Sequence, residues 1–305
     1  MENVENWHHH SGTLLVEKNN FKVINCNSCG FKHIIPIPTE EELDNIYKEQ
    51  YYTVEKPLYI ERMKEDAEWW EITYTDRYKT FEEQLGNKKG KILDVGSGTG
   101  YFLKTGKDRG WNTLGIEPSK QAAEYSRDEL KLKIIENQLT EKNYKEFGTF
   151  DVIHLSLVLE HIPDPIKMLK IIFEMLNPGG LICVVVPNDF NPFQNVLSKY
   201  DNYPKWWVSP PHHINYFDFS SLKKLVQNCG FNVYLEESTF PIDIFLLMGD
   251  NYIGNDDLGR ACHNKRMRLE TLLSKDISNE LKRKMYQNFA QLGIGREVII
   301  YAKKD

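Results

Sequence analysis

Lys91-Ile92-Leu93-Asp94-Val95-Gly96-Ser97-Gly98-Thr99-Gly100 is the stretch on which the reading of the whole chain turns. Ile92, Leu93 and Val95 read as a short buried strand with Asp94 near its end. Gly96, Gly98 and Gly100 then turn the backbone sharply into a helix that begins near Tyr101. Alternate glycines suit a loop with unusual φ/ψ values that a ligand approaches closely. The dinucleotide fingerprint would need a further glycine where this chain has Tyr101. Taken alone, Asp94 to Gly100 marks a glycine turn for a nucleotide-like ligand.

The residues downstream narrow that ligand. Tyr101 to Arg109 reads as helix, with Gly110 as its C-terminal cap, and Asn112 to Ile116 as a second strand closed by Glu117 and Pro118. A carboxylate at that strand end can accept both hydroxyl hydrogens of a ribose. Ser119 caps a helix to about Leu130, and Leu132 to Ile135 is a third strand, followed by Asn137 and Gln138. Phe150 to Leu155 is a fourth strand, leading into Ser156-Leu157-Val158-Leu159-Glu160-His161-Ile162-Pro163-Asp164-Pro165. Ile166 to Leu176 is an amphipathic helix. Asn177-Pro178-Gly179-Gly180 then turns the chain into the apolar strand Leu181 to Val186.

The D-x-G-x-G-x-G loop, the Asp151 to Pro165 segment and the N-P-G-G turn together resemble class I S-adenosylmethionine-dependent methyltransferases. The resemblance implies an α/β fold with a seven-stranded, mostly parallel Rossmann-like sheet and helices on both faces. It also implies S-adenosylmethionine as methyl donor and S-adenosylhomocysteine as product. Carried onto this sequence, the donor site comprises Asp94, Gly96, Ser97, Gly98, Gly100, Tyr101, Glu117, Pro118, Asn137, Gln138, Ser156 and Leu157. Asp94 would hold the loop or reach the methionine end of the donor. An amide from Asn137 or Gln138 would replace the acid that relatives place near adenine.

The N-terminal stretch carries a second chemistry. Cys26-Asn27-Ser28-Cys29-Gly30 is a C-x-x-C-G knuckle that aims two thiolates at one tetrahedral ion. The run His8-His9-His10 stands where a zinc ribbon's first knuckle would be. Cys26, Cys29, His8 and His10 thus form a candidate zinc set. A degenerate ribbon without metal, or a histidine run of no structural meaning, are the alternatives. Cys26 to Tyr52 resembles the N-terminal segment of sugar-modifying methyltransferases, in which a small zinc-binding module precedes the catalytic domain. Those relatives have two C-x-x-C knuckles, and the first is missing here. Thr39 with Glu42 has capping-box spacing and starts a helix near Glu40. The expected organisation is a module at 1–52 and a methyltransferase domain at 53–305. Substrate-covering insertions are expected at 187–218 and 241–295.

Between the two, Trp70, Tyr74, Tyr78 and Phe81 recur at helical spacing and read as a helix packed on the sheet. Tyr51, Tyr52 or Tyr59 offers a lid over the substrate as the sharper reading. Pro187 to Pro211 is loop-rich and aromatic, which suits either a specificity wall or packing. His212-His213-Ile214-Asn215-Tyr216-Phe217 resembles the segment of sugar C-methyltransferases whose histidine is a proposed base. His213 is the first candidate base, His161 the second, and His212 stands in place of the relatives' acid. A positioned histidine contributes about 10²–10⁴-fold to proton removal from an alcohol. Packing roles are the competing account for all three histidines. Phe231 to Phe240 is a sixth strand, residues 241 to 291 are mostly helical, and Glu297 to Ala302 is the last strand. The basic stretch Arg260 to Arg268 would greet a nucleotide diphosphate or phosphorylated glycan, or else form a solvated face.

Bulk properties set the limits. A net charge of −6 argues against a broad phosphate-binding surface, so polymeric nucleic acid is not an expected partner. No apolar run approaches the roughly 20 residues of a membrane span. Five cysteines with one close pair do not make a disulfide framework, and a cytoplasmic setting is expected. The resemblance implies O-methylation of a nucleotide-linked sugar or surface-polysaccharide precursor. N- or C-methylation of a sugar, O-methylation of a quinone or other natural product, and a catalytically silent donor-binding partner are the alternatives. A homodimer is an open expectation.

Overall fold

The computed structural model describes residues 3–39, 42–43, 58–276 and 278–305. Four strands open it: β1 (Asn3–Trp7), β2 (His10–Lys18), β3 (Phe21–Cys26) and β4 (Lys32–Ile35). They pair in sequence as an antiparallel meander. The capping box forms as its spacing requires, with Glu42 accepting from the Thr39 N–H at 2.7 Å. Most of the helix it would start lies outside the described residues, as do Tyr51 and Tyr52.

Helices α1 (Tyr59–Glu65) and α2 (Ala67–Gln84) follow. Tyr78 and Phe81 of α2 are fully buried, and Tyr78 stacks on Phe102. On the opposite side Trp69, not Trp70, is the buried tryptophan; its indole N–H donates to Glu270 at 2.5 Å. The helix is therefore gripped from two sides, which the single predicted stripe did not describe.

The main sheet then builds in chain order, beginning with β5 (Lys91–Val95) and α3 (Tyr101–Asp108). Next come β6 (Asn112–Ile116), α4 (Lys120–Asp128) and the short β7 (Ile134–Ile135). After β8 (Phe150–Ser156), helix α5 (Pro165–Met175) leads directly into β9 (Leu176–Pro187). The Asn177-Pro178-Gly179-Gly180 turn survives as an irregularity inside β9. Register with β8 shifts between Phe150 and Val152, and Gly179 sits at φ +76°. The aromatic insertion is not all loop: α6 (Pro192–Tyr200) forms behind a capping box of Asn191 and Gln194. Then come β10 (Asn215–Tyr216), α7 (Phe219–Asn228) and β11 (Asn232–Ser238). Helices α8 (Asp243–Leu247), α9 (Asp256–Leu273) and α10 (Ser278–Gln291) precede β12 (Glu297–Lys303).

The seven-stranded sheet has the order β11-β12-β9-β8-β5-β6-β7, with β12 antiparallel to both its neighbours. It is therefore mixed and mostly parallel. Its central strands are apolar on both faces, with Ile92, Leu93, Ile153, Leu155, Val184 and Val186 fully buried. Such strands need helices on both sides to exclude water. Sequence direction reverses between β5 and β8. Open α/β sheets bind ligands beyond the carboxyl ends of strands at that point.

The small sheet does not close within residues 1–52. Its order is β1-β2-β3-β4-β10, so its fifth strand comes from Asn215–Tyr216 in the insertion. This crossing is what brings the N-terminal strands to the edge of the candidate site.

Candidate active site

Beyond β5, Gly96, Gly98 and Gly100 have φ values of +70°, +52° and +79°. A side chain at any of them would be strained by conformation alone. A Cβ at Gly96 would also stand 2.7 Å from Val158, and one at Gly100 2.6 Å from Leu132. A Cβ at Gly98 would stand 3.1 Å from the Tyr59 hydroxyl, so the first residue of α1 roofs the glycine turn. The Ser97 hydroxyl points inward: a Cβ at Gly115 would lie 2.7 Å from it. The Tyr101 hydroxyl pairs with that of Tyr125 at 2.9 Å.

Glu117 closes β6 with its carboxylate buried. One oxygen accepts from the Gly98 N–H at 2.7 Å and the other from the Ser119 N–H at 2.8 Å. Burial pushes its pKa up to about 7, against those two donors. Each oxygen keeps a second acceptor direction, so the carboxylate that shapes the glycine turn also fits a pair of ribose hydroxyls. Asn137 and Gln138 lie alongside and are exposed; the Asn137 side chain accepts from the Gln138 N–H. Pro118 is exposed as well.

Asp94 has a structural partner that sequence reading missed. It accepts from Nδ1–H of His154 at 2.7 Å, and His154 Nε2 accepts from the Arg77 guanidinium at 3.0 Å. The imidazole also stacks on Phe102 at 3.8 Å. Burial lowers the His154 pKa even beside Asp94, so the ring is neutral and its tautomer is set by its two neighbours. This line of three buried polar groups runs from α2 through β8 to β5, directly beneath the glycine turn. His154 sits inside an otherwise apolar strand, and a polar residue at a core position is the sequence signal for such a network.

Beyond β8 and β9 the chain is strained in two places. Leu157 has φ +58° with an exposed side chain, and Phe190 has φ +59°. Non-glycine residues held in this region cluster where a ligand site over-determines the backbone. Next to Leu157 a cavity of about 130 Å³ is lined by Glu160, His161, Pro187, His213, Arg296 and Glu297. His161 donates from Nδ1 to the His212 carbonyl at 2.7 Å. Its Nε2 is then the acceptor nitrogen, 3.8 Å from a Glu160 oxygen. The His161 and His213 rings meet edge to face with centroids 5.0 Å apart. His212 contributes its backbone to this contact.

Asn215 holds the two halves of this cavity together. Its amide donates to the carbonyls of Leu159 at 2.9 Å and Ile162 at 2.7 Å, stapling the turn that carries Glu160 and His161. The Ile214 N–H donates to the Glu160 carbonyl at 2.7 Å. Asn215 itself pairs with His33 of β4. Arg296 approaches buried Asp189 at 3.7 Å, and burial pushes that carboxyl up to about 7. Asn215, Arg296 and Glu297 were not among the sequence candidates: Asn215 stands inside the His212–Phe217 segment but acts on carbonyls 53 and 56 residues away, and Arg296 and Glu297 are remote in the chain from the other cavity residues.

The basic stretch of α9 is engaged elsewhere. Arg260 makes two 2.7 Å hydrogen bonds to Asp66, and His263 adds a third at 3.2 Å. Lys265 pairs with Asp250, and Arg266 pairs with Glu270 while lying over Trp69. Arg260 and His263, through Asp66, and Arg266, over Trp69, tie α9 to the α1–α2 junction and to α2.

In the small sheet the structure gathers His10, Cys26, Cys29 and His33, whose ligand atoms all lie within 4.8 Å of one another. His10 Nδ1 is 3.3 Å from Cys29 Sγ and 3.7 Å from Cys26 Sγ. His33 donates from Nδ1 to the Ile34 carbonyl, and among the described residues its buried Nε2 has no hydrogen-bond partner. His8 takes no part. With His9 it forms the β1–β2 turn, at φ +44° and +73°, and it is exposed. Both residues at positive φ is the type I′ hairpin geometry, and the His8 ring meets Trp7 edge to face with centroids 4.7 Å apart.

A family model described as a methyltransferase domain matches residues 67–236, more than half of the chain. The chain belongs to this methyltransferase family. Among curated relatives, the ubiquinone biosynthesis O-methyltransferase of Psychrobacter arcticus is 33% identical over 145 residues, 45% of this chain and 54% of that protein. That of Vibrio parahaemolyticus is 30% identical over 95 residues, 30% of this chain and 40% of that protein. The chain thus spans about half the length of the curated relatives it matches. Among solved structures, a SAM-dependent methyltransferase from Archaeoglobus fulgidus aligns with a TM-score of 0.52 at 18% identity, covering 84% of this chain and all of that one. The plantazolicin methyltransferase BpumL, solved with a substrate analogue and SAH, aligns at 0.53 and 13%, covering 86% and 93%. Both share the fold. Residues 67–236 of the chain thus form a methyltransferase domain. Among the described residues no helix is long and apolar enough to cross a membrane.

Proposed function

We propose that the chain transfers a methyl group from S-adenosylmethionine to a hydroxyl of a small molecule. The observation that carries this reading is the convergence of Glu160, His161 and His213, from two segments distant in the chain, around one cavity. S-adenosylmethionine supplies an electrophilic methyl group on a sulfonium. The glycine turn and Glu117 bind the donor, and the cavity beyond β8 and β9 presents the acceptor oxygen. His161 is the better placed base, because the His212 carbonyl fixes its tautomer and leaves Nε2 to accept the proton. His213 shapes the same wall and is the second candidate. Alignment of the two reactants contributes most of the rate.

For the acceptor, the names of the relatives favour the quinone-type alternative over a nucleotide sugar. The pairing of Arg260, Lys265 and Arg266 with acids removes the reason for expecting a diphosphate at α9. Phe190, Trp206 and Trp207 of the aromatic insertion pack on one another and on the small sheet's apolar cluster, which favours the packing account of that insertion. Calorimetry with S-adenosylmethionine is the first test, and absence of binding sinks the reading. A screen of catechols, quinols and nucleotide sugars for S-adenosylhomocysteine release then separates the acceptor classes.

The small sheet is proposed to hold a structural zinc ion on His10, Cys26, Cys29 and His33. Two imidazoles and two thiolates make a closed tetrahedral set, and the orphaned His33 Nε2 supports it. Metal analysis of untagged protein is expected to find about one zinc per chain at this set. A Cys26→Ser Cys29→Ser variant that keeps that zinc would end the idea.

A further inference from the structure

We infer that Glu160, His161 and His213 hold a catalytic divalent cation on which the acceptor hydroxyl ionises. The inference rests on the reading of this cavity as the acceptor pocket, and replaces a bare histidine base by a metal-bound oxygen nucleophile. Four observations support it.

The ligand-capable atoms of the three side chains all lie within 4.8 Å of one another. That is the widest separation two ligands can have across an ion bound at about 2.0–2.4 Å. His161 donates from Nδ1 to a backbone carbonyl, the outer hydrogen bond that orients metal-ligating imidazoles, and its Nε2 lies on the side of Glu160, 3.8 Å from that carboxylate. Two imidazoles and one carboxylate form an open set. Closed structural sites use four protein ligands, whereas three leave positions for water or substrate. Finally, the cavity wall carries the carboxylates of Glu160 and Glu297 against the single guanidinium of Arg296, with Asp189 behind it. Such a wall is hospitable to a cation.

The four-residue cluster in the small sheet sharpens the contrast. Both clusters are tied to β10 from opposite sides: His33 pairs with Asn215, and the Asn215 amide staples the Glu160–His161 turn. One set is closed and sulfur-rich. The other is open, borders a cavity and has no sulfur.

In the step proposed, the acceptor oxygen coordinates the cation, which lowers the pKa of its hydroxyl. The O–H proton leaves to solvent and the oxygen forms a bond to the methyl carbon. The bond from that carbon to sulfur breaks, so a neutral thioether departs. No electron is gained or lost by the metal. An acceptor with two adjacent oxygens, such as a catechol or a vicinal diol, would occupy two open positions.

The test uses the full chain, stripped with EDTA and titrated with Co²⁺ alone. Wild type is expected to bind two equivalents, one with thiolate-to-cobalt absorption and one without. Glu160→Gln, an isosteric change, is expected to weaken only the second by at least about tenfold. His213→Ala is expected to do the same. Retention of S-adenosylmethionine binding by both variants, read by calorimetry, shows that they are folded. Equal Co²⁺ binding by wild type and both variants outside the thiolate site overturns the inference. S-adenosylmethionine binding would then still stand, so that failure is separate from failure of the methyltransferase reading.

Discussion

The proposed donor side and the proposed acceptor side of the site are built in opposite ways. The donor side is local. Asp94, the glycine turn and Glu117 come from two consecutive strands, and the Gly98 N–H donates directly to Glu117. The acceptor side is assembled. Glu160 and His161 follow β8, His213 precedes β10, and Arg296 and Glu297 open β12. Asn215 and the small sheet hold these pieces in register. A local site is specified by backbone geometry and tolerates little change in its few residues. An assembled site depends on tethers that touch no substrate, and can change its acceptor without disturbing the donor.

The largest effect should come from the buried line beneath the donor side. Asp94→Ala strands the His154 N–H and leaves Arg77 with a weaker counterbalance deep in the fold. Breaking a buried charged network costs about 3–5 kcal/mol, and urea denaturation should read a loss of that order. A loss under about 1 kcal/mol would mean that Asp94 is not held in this network.

On the acceptor side, His161→Ala should lower turnover by about 10²-fold or more while leaving S-adenosylmethionine affinity within a factor of about two. Equal losses in both quantities would break the division between the two halves. Asn215→Ala is expected to act in the same direction by releasing the stapled turn. Its loss leaves two carbonyls without their donor, worth about 1–3 kcal/mol in stability.

The donor side also predicts a pH dependence. Burial places the Glu117 pKa at about 7, above the usual carboxylate range. Ribose hydroxyls donate to the ionised form, so binding should be strongest above that value. As pH falls below it, the carboxyl is protonated in the free protein and affinity should fall, by up to about tenfold per unit. Glu117→Gln should flatten the profile and weaken binding at pH 8 by about 1–2 kcal/mol. A wild-type profile that is flat from pH 5.5 to 8 would show that Glu117 does not face the donor.

The same division explains what the sequence made legible. Strands β5, β6 and β8 are short apolar runs bounded by glycine or acid, and Asn112–Ile116 matches its expected span residue for residue. Ser119 caps α4 as expected, accepting from the Ala122 N–H. These features are local, and local chemistry is written in consecutive residues. His33 is the counter-example. It carries no motif spacing to Cys26, and only the β3–β4 pairing turns it toward His10. Asn215 and Arg77 escaped notice for the same reason. Each acts through a partner separated by tens of residues, and pairing at that range is set by topology.

The smallest effect tests the part of the acceptor half that sequence composition assigned to α9. Arg260 is partly exposed and forks onto Asp66 at the junction of α1 and α2. Against the upward push of burial, that fork holds the Asp66 carboxyl below its usual range. Arg260→Ala should therefore cost stability, by about 1 kcal/mol after screening by solvent. It should leave the acceptor KM unchanged, because the guanidinium faces α1 rather than the cavity. Tyr59, at the start of the same helix, roofs the glycine turn, so a modest weakening of S-adenosylmethionine binding would be consistent with a loosened α1. A rise in acceptor KM with donor affinity intact would instead return Arg260 to the substrate and redraw the boundary between the two halves.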